Sequence, residues 1–259
     1  MNIMITAAVH LDESSVGLPQ QCASQLRRAD DFIKLAAAAS VEALDMCSGC
    51  QEPNEESGLF VGTAFGPMQT NFDVLGLIVD NEQTSPTLFS HSVFNSAAGY
   101  LARLFTIQGS SQTFTDFSWP FFQALAAGSG AISSGRLKQC LVVQVETYSD
   151  LLADARQQTG QSAKPWQAGA VAWLLENQGD RTGWCIDDSS IDSSPAAAAE
   201  YLHRAEYLHV GGSVIPCFDP LSAAIAITDL VNQKNDPEKS LHCEITAPYG
   251  SVGLKLQHS

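Results

Sequence analysis

The sequence predicts an α/β layered fold, and three observations carry that prediction. Short apolar runs that read as buried strands alternate with stretches whose apolar residues recur at helical spacing, the order expected of a sheet covered by helices. A helix built largely of small residues, Phe121–Ser134, precedes a central strand at Cys140–Glu146 that opens on the apolar run Cys-Leu-Val-Val, a pairing suited to close packing. Of the 259 residues, 45% are hydrophobic and 16% charged, enough apolar material to bury a sizeable core.

The elements follow in order. A strand at Met1–Val9 leads into a polar stretch. Ala29–Met46 repeats Phe32, Leu35, Ala36, Ala39, Val41 and Leu44 at helical spacing, so it reads as one amphipathic helix. Gly58–Gly66 is a buried strand that runs into a glycine turn, and a helix follows to about Asp80. Ser85-Pro86 opens a turn, Ser92–Phe105 is a helix with alanine and glycine on one side, and Gln112–Phe117 is a β-type run. Ala168–Glu176 is a further strand. From Asn177 to Pro216 the pattern weakens: Asp187–Ser194 reads as a polar loop and Pro195–His209 as a helix. Leu221–Asn232 is the last helix, before two short strands at Leu241–Ile245 and Val252–Leu256. No repeat and no linker divides the chain, so it reads as a single domain over 1–259, with halves at 1–176 and 177–259.

Composition narrows the function. A formal net charge of −15, from 28 acidic and 13 basic residues, argues against nucleic acid and anionic membrane as partners, because both demand clustered Lys and Arg. The longest apolar run, Ala168–Leu175, falls far short of the roughly 20 residues that span a bilayer, so no membrane span is expected. The N-terminus lacks the basic start of a signal peptide, which points to a cytoplasmic protein. The seven cysteines are odd in number and scattered, and read as free thiols. Cys47-x-x-Cys50 has no second Cys/His pair at ligand spacing, so no metal is expected. Gly58–Gly66 does not match a phosphate-cradling loop, and no cofactor is expected. His203 and His209 flank Tyr201 and Tyr207 and read as solvated or core-edge residues.

A set of motifs in a fixed order resembles the β-ketoacyl synthases of fatty acid and polyketide assembly. Arg28-Ala-Asp-Asp-Phe32 resembles that family's Arg-x-Asp-x-Phe before its first long helix. Ser85-Pro86, Asn95 before Ala97-Ala98-Gly99, and Gly109 follow the family's order of a Ser-Pro turn, an Asn ahead of an Ala-Gly helix, and a glycine turn. Leu141–Glu146 is similar to a strand ending in Gly-x-Glu, with Gln144 in place of the glycine. Phe218–Ala226 resembles the family's Gly-His-x-x-Gly-Ala-x-Gly-Ala helix start, and Ala247–Leu256 its closing glycine turn and last strand. The resemblance implies a thiolase-like fold of two similar α/β halves. One half is nearly complete here; the second is truncated, since less than a third of the chain follows Glu176.

The resemblance also locates what is missing. Such an enzyme needs a thiolate at a strand-to-helix elbow and two histidines from its second half. Counting from Gly109 and Gly135 places the nucleophile position at Ser118, a far weaker nucleophile than cysteine. The histidine opening the late helix falls at Asp219, and the second histidine motif has no counterpart. No catalytic residue is therefore expected. Trp119, Phe121 and Phe122 stand where the family has small residues; they either belong to the core or bound an acyl tunnel. Glu146 matches a position that braces the core near the site. The resemblance implies a dimer interface around Asn95–Phe105 and Gln112–Phe117, with Asn95, Tyr100, Phe105, Phe114 and Phe117 as contact residues and Phe94 and Leu104 beside them. The expected role is a non-catalytic, chain-length-factor-like subunit that forms a heterodimer with an active ketosynthase of an aryl polyene type system. It would meet the acyl carrier protein only indirectly, since an acidic surface repels an acidic carrier. The alternative is an acyl hydrolase or acyltransferase that uses Ser118, although Phe117 and Pro120 stand in place of the Gly-x-Ser-x-Gly elbow.

Overall fold

The computed structural model describes residues 3–15, 22–47, 53–158, 166–178, 182–193, 206–233 and 240–259. In chain order these form β1 (Ile3–Asp12), α1 (Asp31–Met46), β2 (Ser57–Thr63), α2 (Met68–Val79), α3 (Pro86–His91), α4 (Ser96–Leu104), β3 (Ser111–Thr115), α5 (Pro120–Ser133) and β4 (Gln139–Glu146). They continue as α6 (Asp150–Gln158), β5 (Gly169–Asn177), β6 (Trp184–Ser193), β7 (Glu206–Val210), β8 (Ser213–Cys217), α7 (Ser222–Asn232), β9 (Ser240–Ala247) and β10 (Gly250–His258).

Helix α1 begins where Asp30 can cap it: the Asp30 carboxylate accepts the Ile33 N–H at 3.0 Å and the Thr70 hydroxyl at 2.7 Å. Its alanine-rich length lets it lie close on β1, β4 and β5. All ten strands join one sheet in the order β3-β2-β4-β5-β1-β6-β10-β9-β7-β8. Strand β2 pairs in parallel with both β3 and β4, and the remaining pairs are antiparallel. Strands β2 and β4 are buried along their whole length, as strands covered on both faces must be.

Two cores explain that burial. One face of the first five strands carries α1 and α4 and the cluster of Phe32, Leu59, Val61, Leu101, Leu141 and Val143. The other face carries α5 and α7, which are enclosed against β7, β9 and β10 in a second cluster that includes Phe60, Trp119, Trp173, Ile227, Ile245 and Leu254. Small residues set the spacing. A Cβ on Gly128 of α5 would stand 2.8 Å from the Cys140 sulfur, and one on Gly62 would stand 2.3 Å from the Pro120 carbonyl oxygen. Helix α5 lies on the sheet only because both positions lack a side chain.

The structure departs from the expected elements in three places. The helix expected over Ser92–Phe105 is the shorter α4, Ser96–Leu104, and the turn expected at Ser85-Pro86 opens a further helix, α3, which ends at His91. The expected polar loop Asp187–Ser194 is strand β6 through Ser193; Asp188, Ser190 and Asp192 pair with Lys255, Gly253 and Ser251 of β10. Only tertiary pairing turns so polar a run into a strand. The helix expected over Pro195–His209 lies outside the described residues up to 205, and from Glu206 the chain is strand β7. Cys47 is disulfide-bonded, not the free thiol expected, and Cys50 lies outside the described residues. Cys22, Cys140, Cys185, Cys217 and Cys243 are buried thiols.

Burial raises two of these thiols strongly, Cys140 beyond the ordinary range and Cys243 to about 12. Below the unfolded thiol value of about 8.5, neither state ionises and the two groups have no effect on stability. Above it the unfolded chain releases protons that the folded chain retains, so stability is lost as pH rises toward 12. The urea midpoint is therefore expected to fall above about pH 9, with each thiol adding about 1.4 kcal/mol per pH unit to the slope. Cys243→Ala should make that fall shallower. Equal slopes in the two proteins would contradict the burial of this thiol.

Candidate functional site

The segments of Ser118 and Asp219 reach the ends of β2 and β4: the Asp116 N–H donates to the Thr63 carbonyl, and the Gln144 amide to the Pro220 carbonyl. Ser118 lies in the elbow between β3 and α5, 5% exposed, and its N–H donates to Asp116 Oδ1 at 2.8 Å. Pro120 occupies the first turn of α5, where a missing N–H costs nothing. The described histidines have contacts of their own. His91 meets the Tyr100 hydroxyl at 2.9 Å, His209 the Thr246 hydroxyl at 3.1 Å, and His10 the Asp229 carboxylate at 2.9 Å. His258 packs on Trp184, and His242 lines a polar groove of about 460 Å³ on the outer side of β6, β10 and β9.

Asp219 is a turn residue. Its Oδ1 accepts the Leu221 N–H at 2.9 Å, and its own N–H donates to Ser222 Oγ at 3.2 Å, which sets the start of α7. The preceding carbonyl, of Phe218, accepts the Trp166 indole N–H at 2.5 Å. Arg156 lies with its guanidinium 4.0 Å over the Trp166 ring. Burial lowers the pKa of Arg156, while Tyr148 and Asp219 act to raise it. Phe65, Tyr148 and Trp166 form an aromatic group here, and Phe117 joins it through Phe65 at 5.4 Å.

Trp119, Phe121 and Phe122 are placed in the core. Trp119 is 1% exposed and packs on Tyr249 at 5.2 Å, although its indole N–H finds no acceptor among the described residues. Tyr249 is itself buried and donates a short hydrogen bond to the Glu206 carboxylate. Phe121 meets Trp173 edge-on at 5.1 Å and Phe122 at 5.4 Å. These rings fill the space beside Ser118 with side chains at core density.

Glu146 braces the site as expected. Its buried carboxylate accepts the N–H of Ala64 at 2.6 Å and of Phe65 at 3.3 Å, and the Thr63 hydroxyl at 3.3 Å. Sequence reasoning missed the part played by Gln144, whose amide joins this carboxylate to the carbonyl of Pro220. The signal was present, since a glutamine stood where a glycine was looked for. Among the described residues no group of three or more His, Cys, Asp or Glu is arranged to hold a metal ion.

Of the expected contact residues, Asn95 and Phe117 are exposed, with Phe117 at 51%. Tyr100 and Phe105 are half-buried against the α1/α4 core, and Phe114 against the α5 core. The apolar surface is carried instead by Phe89, Val93, Phe94 and Phe117, with Leu75, Ile78 and Val79 on α2. Among the described residues β3 pairs only with β2, so its outer edge is open.

A sheet parallel at its β3-β2-β4 end and antiparallel beyond, with a helix pair enclosed against it, has a thiolase-like fold, as solved structures bear out. Two chains match over 99% of both partners: one from the ketosynthase ApeO in complex with its chain length factor ApeC from Xenorhabdus doucetiae (17% identity, TM-score 0.64), and one from the ishigamide ketosynthase/chain length factor (15%, 0.71). A third, from the AntDE:AntF complex of a type II PKS acyl-carrier protein with its ketosynthase, matches at 16% identity and TM-score 0.58 over 75% of this chain and 69% of that one. No curated protein matches in sequence. Residues 11–214 match the family described as β-ketoacyl synthase, N-terminal domain, and the chain belongs to that family.

Proposed function

We propose that this chain is a non-catalytic, chain-length-factor-like subunit that pairs with an active β-ketoacyl-ACP synthase in an aryl polyene type system of fatty acid or polyketide biosynthesis. The observation that carries the reading is the contrast between a filled site and an open edge. Serine and aspartate stand at Ser118 and Asp219 in place of the reactive groups, Trp119 after Ser118 is packed into the core on Tyr249, and Asp219 serves a helix turn. The edge strand β3 (Ser-Gln-Thr-Phe-Thr) carries no proline or charge to deter pairing. The opposite edge strand, β8, does carry one, Pro216. Exposed Phe89, Val93, Phe94 and Phe117 add apolar surface of the kind that partners cover, and obligate interfaces bury roughly 2,000 Å² or more.

In this reading the halves 1–176 and 177–259 form one ketosynthase-like domain, the subunit is cytoplasmic, and Asn95, Tyr100, Phe105, Phe114 and Phe117 line or support the contact. The acyl carrier docks mainly on the partner, since a chain with net charge −15 repels an acidic carrier. Among the described residues no helix is long and apolar enough to cross a membrane. Affinity purification of the tagged chain from its native host is expected to recover a ketosynthase with an intact Cys-His-His site in equal molar amount. Recovery of this chain alone, as a stable monomer, would refute the pairing.

A further inference from the structure

Gln144 lies on the face of β4 turned toward α5 and α7, in register with Gly62 of β2, and no part of it is exposed. Its Nε2 donates in two directions, to Glu146 Oε1 and to the backbone carbonyl of Pro220, each at 3.0 Å. Its Oε1 finds no partner among the described residues. The orientation follows from chemistry, because the flipped amide would set an oxygen against two acceptors. The amide thus leaves one polar atom unmet in order to bridge two oxygens that a fully buried position could not leave unsatisfied.

What it bridges matters. On one side Glu146 gathers the N–H groups of Ala64 and Phe65 at the end of β2, and Phe65 stacks on the exposed ring of Phe117. On the other side Pro220 belongs to the turn that Asp219, Ser222 and Trp166 shape ahead of α7. We propose that Gln144 is a positioning residue: its buried amide latches the Asp219–Pro220 turn, and α7 behind it, to the carboxylate that holds the end of β2. The joint makes the two halves of the chain one mechanical unit at the point where the family's reactive groups would otherwise face each other. This inference does not depend on the identity of the partner.

Cys217, 1% exposed and three residues before Pro220, reports on the latch. The test uses Gln144→Met in the whole chain, a change that roughly keeps volume and removes both donors. Cys217 is expected to react with a thiol reagent at least about tenfold faster, and the amides of Phe218, Asp219 and Leu221 to exchange faster by a similar factor. Cys140 and Cys243, buried in the same core but away from the turn, should change only as much as global stability does. Gln144→Ala adds a cavity and should exceed the methionine variant; if it fails to fold, the methionine variant decides alone. Cys217 labelling within about twofold of the unmutated chain, or an equal rise at Cys140, Cys217 and Cys243, would overturn the latch.

Discussion

Phe117→Asp is expected to abolish co-purification with an active ketosynthase, and with it the partner's activity, while the isolated chain stays folded. The Phe117 ring is 51% exposed, so a carboxylate there meets water in the free chain and costs little. Once a partner covers the open edge of β3, the same carboxylate is desolvated without a counter-charge, at a cost of several kcal/mol. That weakens association by more than about 100-fold. Phe94→Asp, 43% exposed, should act in the same direction. Phe114, a natural choice from sequence, is a poorer probe. Its ring is half-buried against the α5 core, so a charge there damages the fold and the contact together. Sedimentation of both proteins, with thermal unfolding of the isolated variant, separates the two effects. An unmutated chain that stays monodisperse and monomeric beside a fully active ketosynthase would refute the proposal.

The purified chain is expected to condense no acyl and malonyl carriers, and Ser118→Cys is expected to restore nothing. A neutral serine with no thiolate character is a weak nucleophile, and the group that would stabilise the enolate is replaced by Asp219, whose carboxylate is committed to the Leu221 N–H. Adding Asp219→His to Ser118→Cys should still give no turnover. Trp119, the residue after Ser118, is 1% exposed and packs on the wholly buried Tyr249. Removing Trp119 as well would open space only at the cost of a large core cavity, about 3–5 kcal/mol. A carrier-loaded condensation assay decides the matter. Turnover above a no-protein blank, by the unmutated chain or by Ser118→Cys, would show that the site has been misassigned.

Much of the fold was legible where periodicity is strong. Helix α1, the strands β2, β4 and β5 and helix α5 each carry a strong pattern of apolar or small residues, and all lie within three residues of their expected bounds. Strand β6 was not legible. Past Ile186 its one apolar side chain is Ile191, so only its ladder with β10 makes it a strand. The exposed apolar surface was half legible. Composition cannot say which apolar side chains turn inward, and Tyr100, Phe105 and Phe114 did while Phe89, Val93 and Phe94 did not.

The sequence by itself determined the layered α/β class, because class follows from residue pattern at local spacing. It also carries the serine at 118 and the aspartate at 219 on which the proposed non-catalytic role rests. Only the tertiary structure decided what surrounds those positions. Gly62 admits the Pro120 carbonyl, Gln144 sits beside Gly62 in the neighbouring strand, and its amide reaches Pro220, 76 residues further along the chain. A contact of that separation leaves no local pattern. It exists because burial leaves each polar group no water, so the folded chain must supply the partner itself.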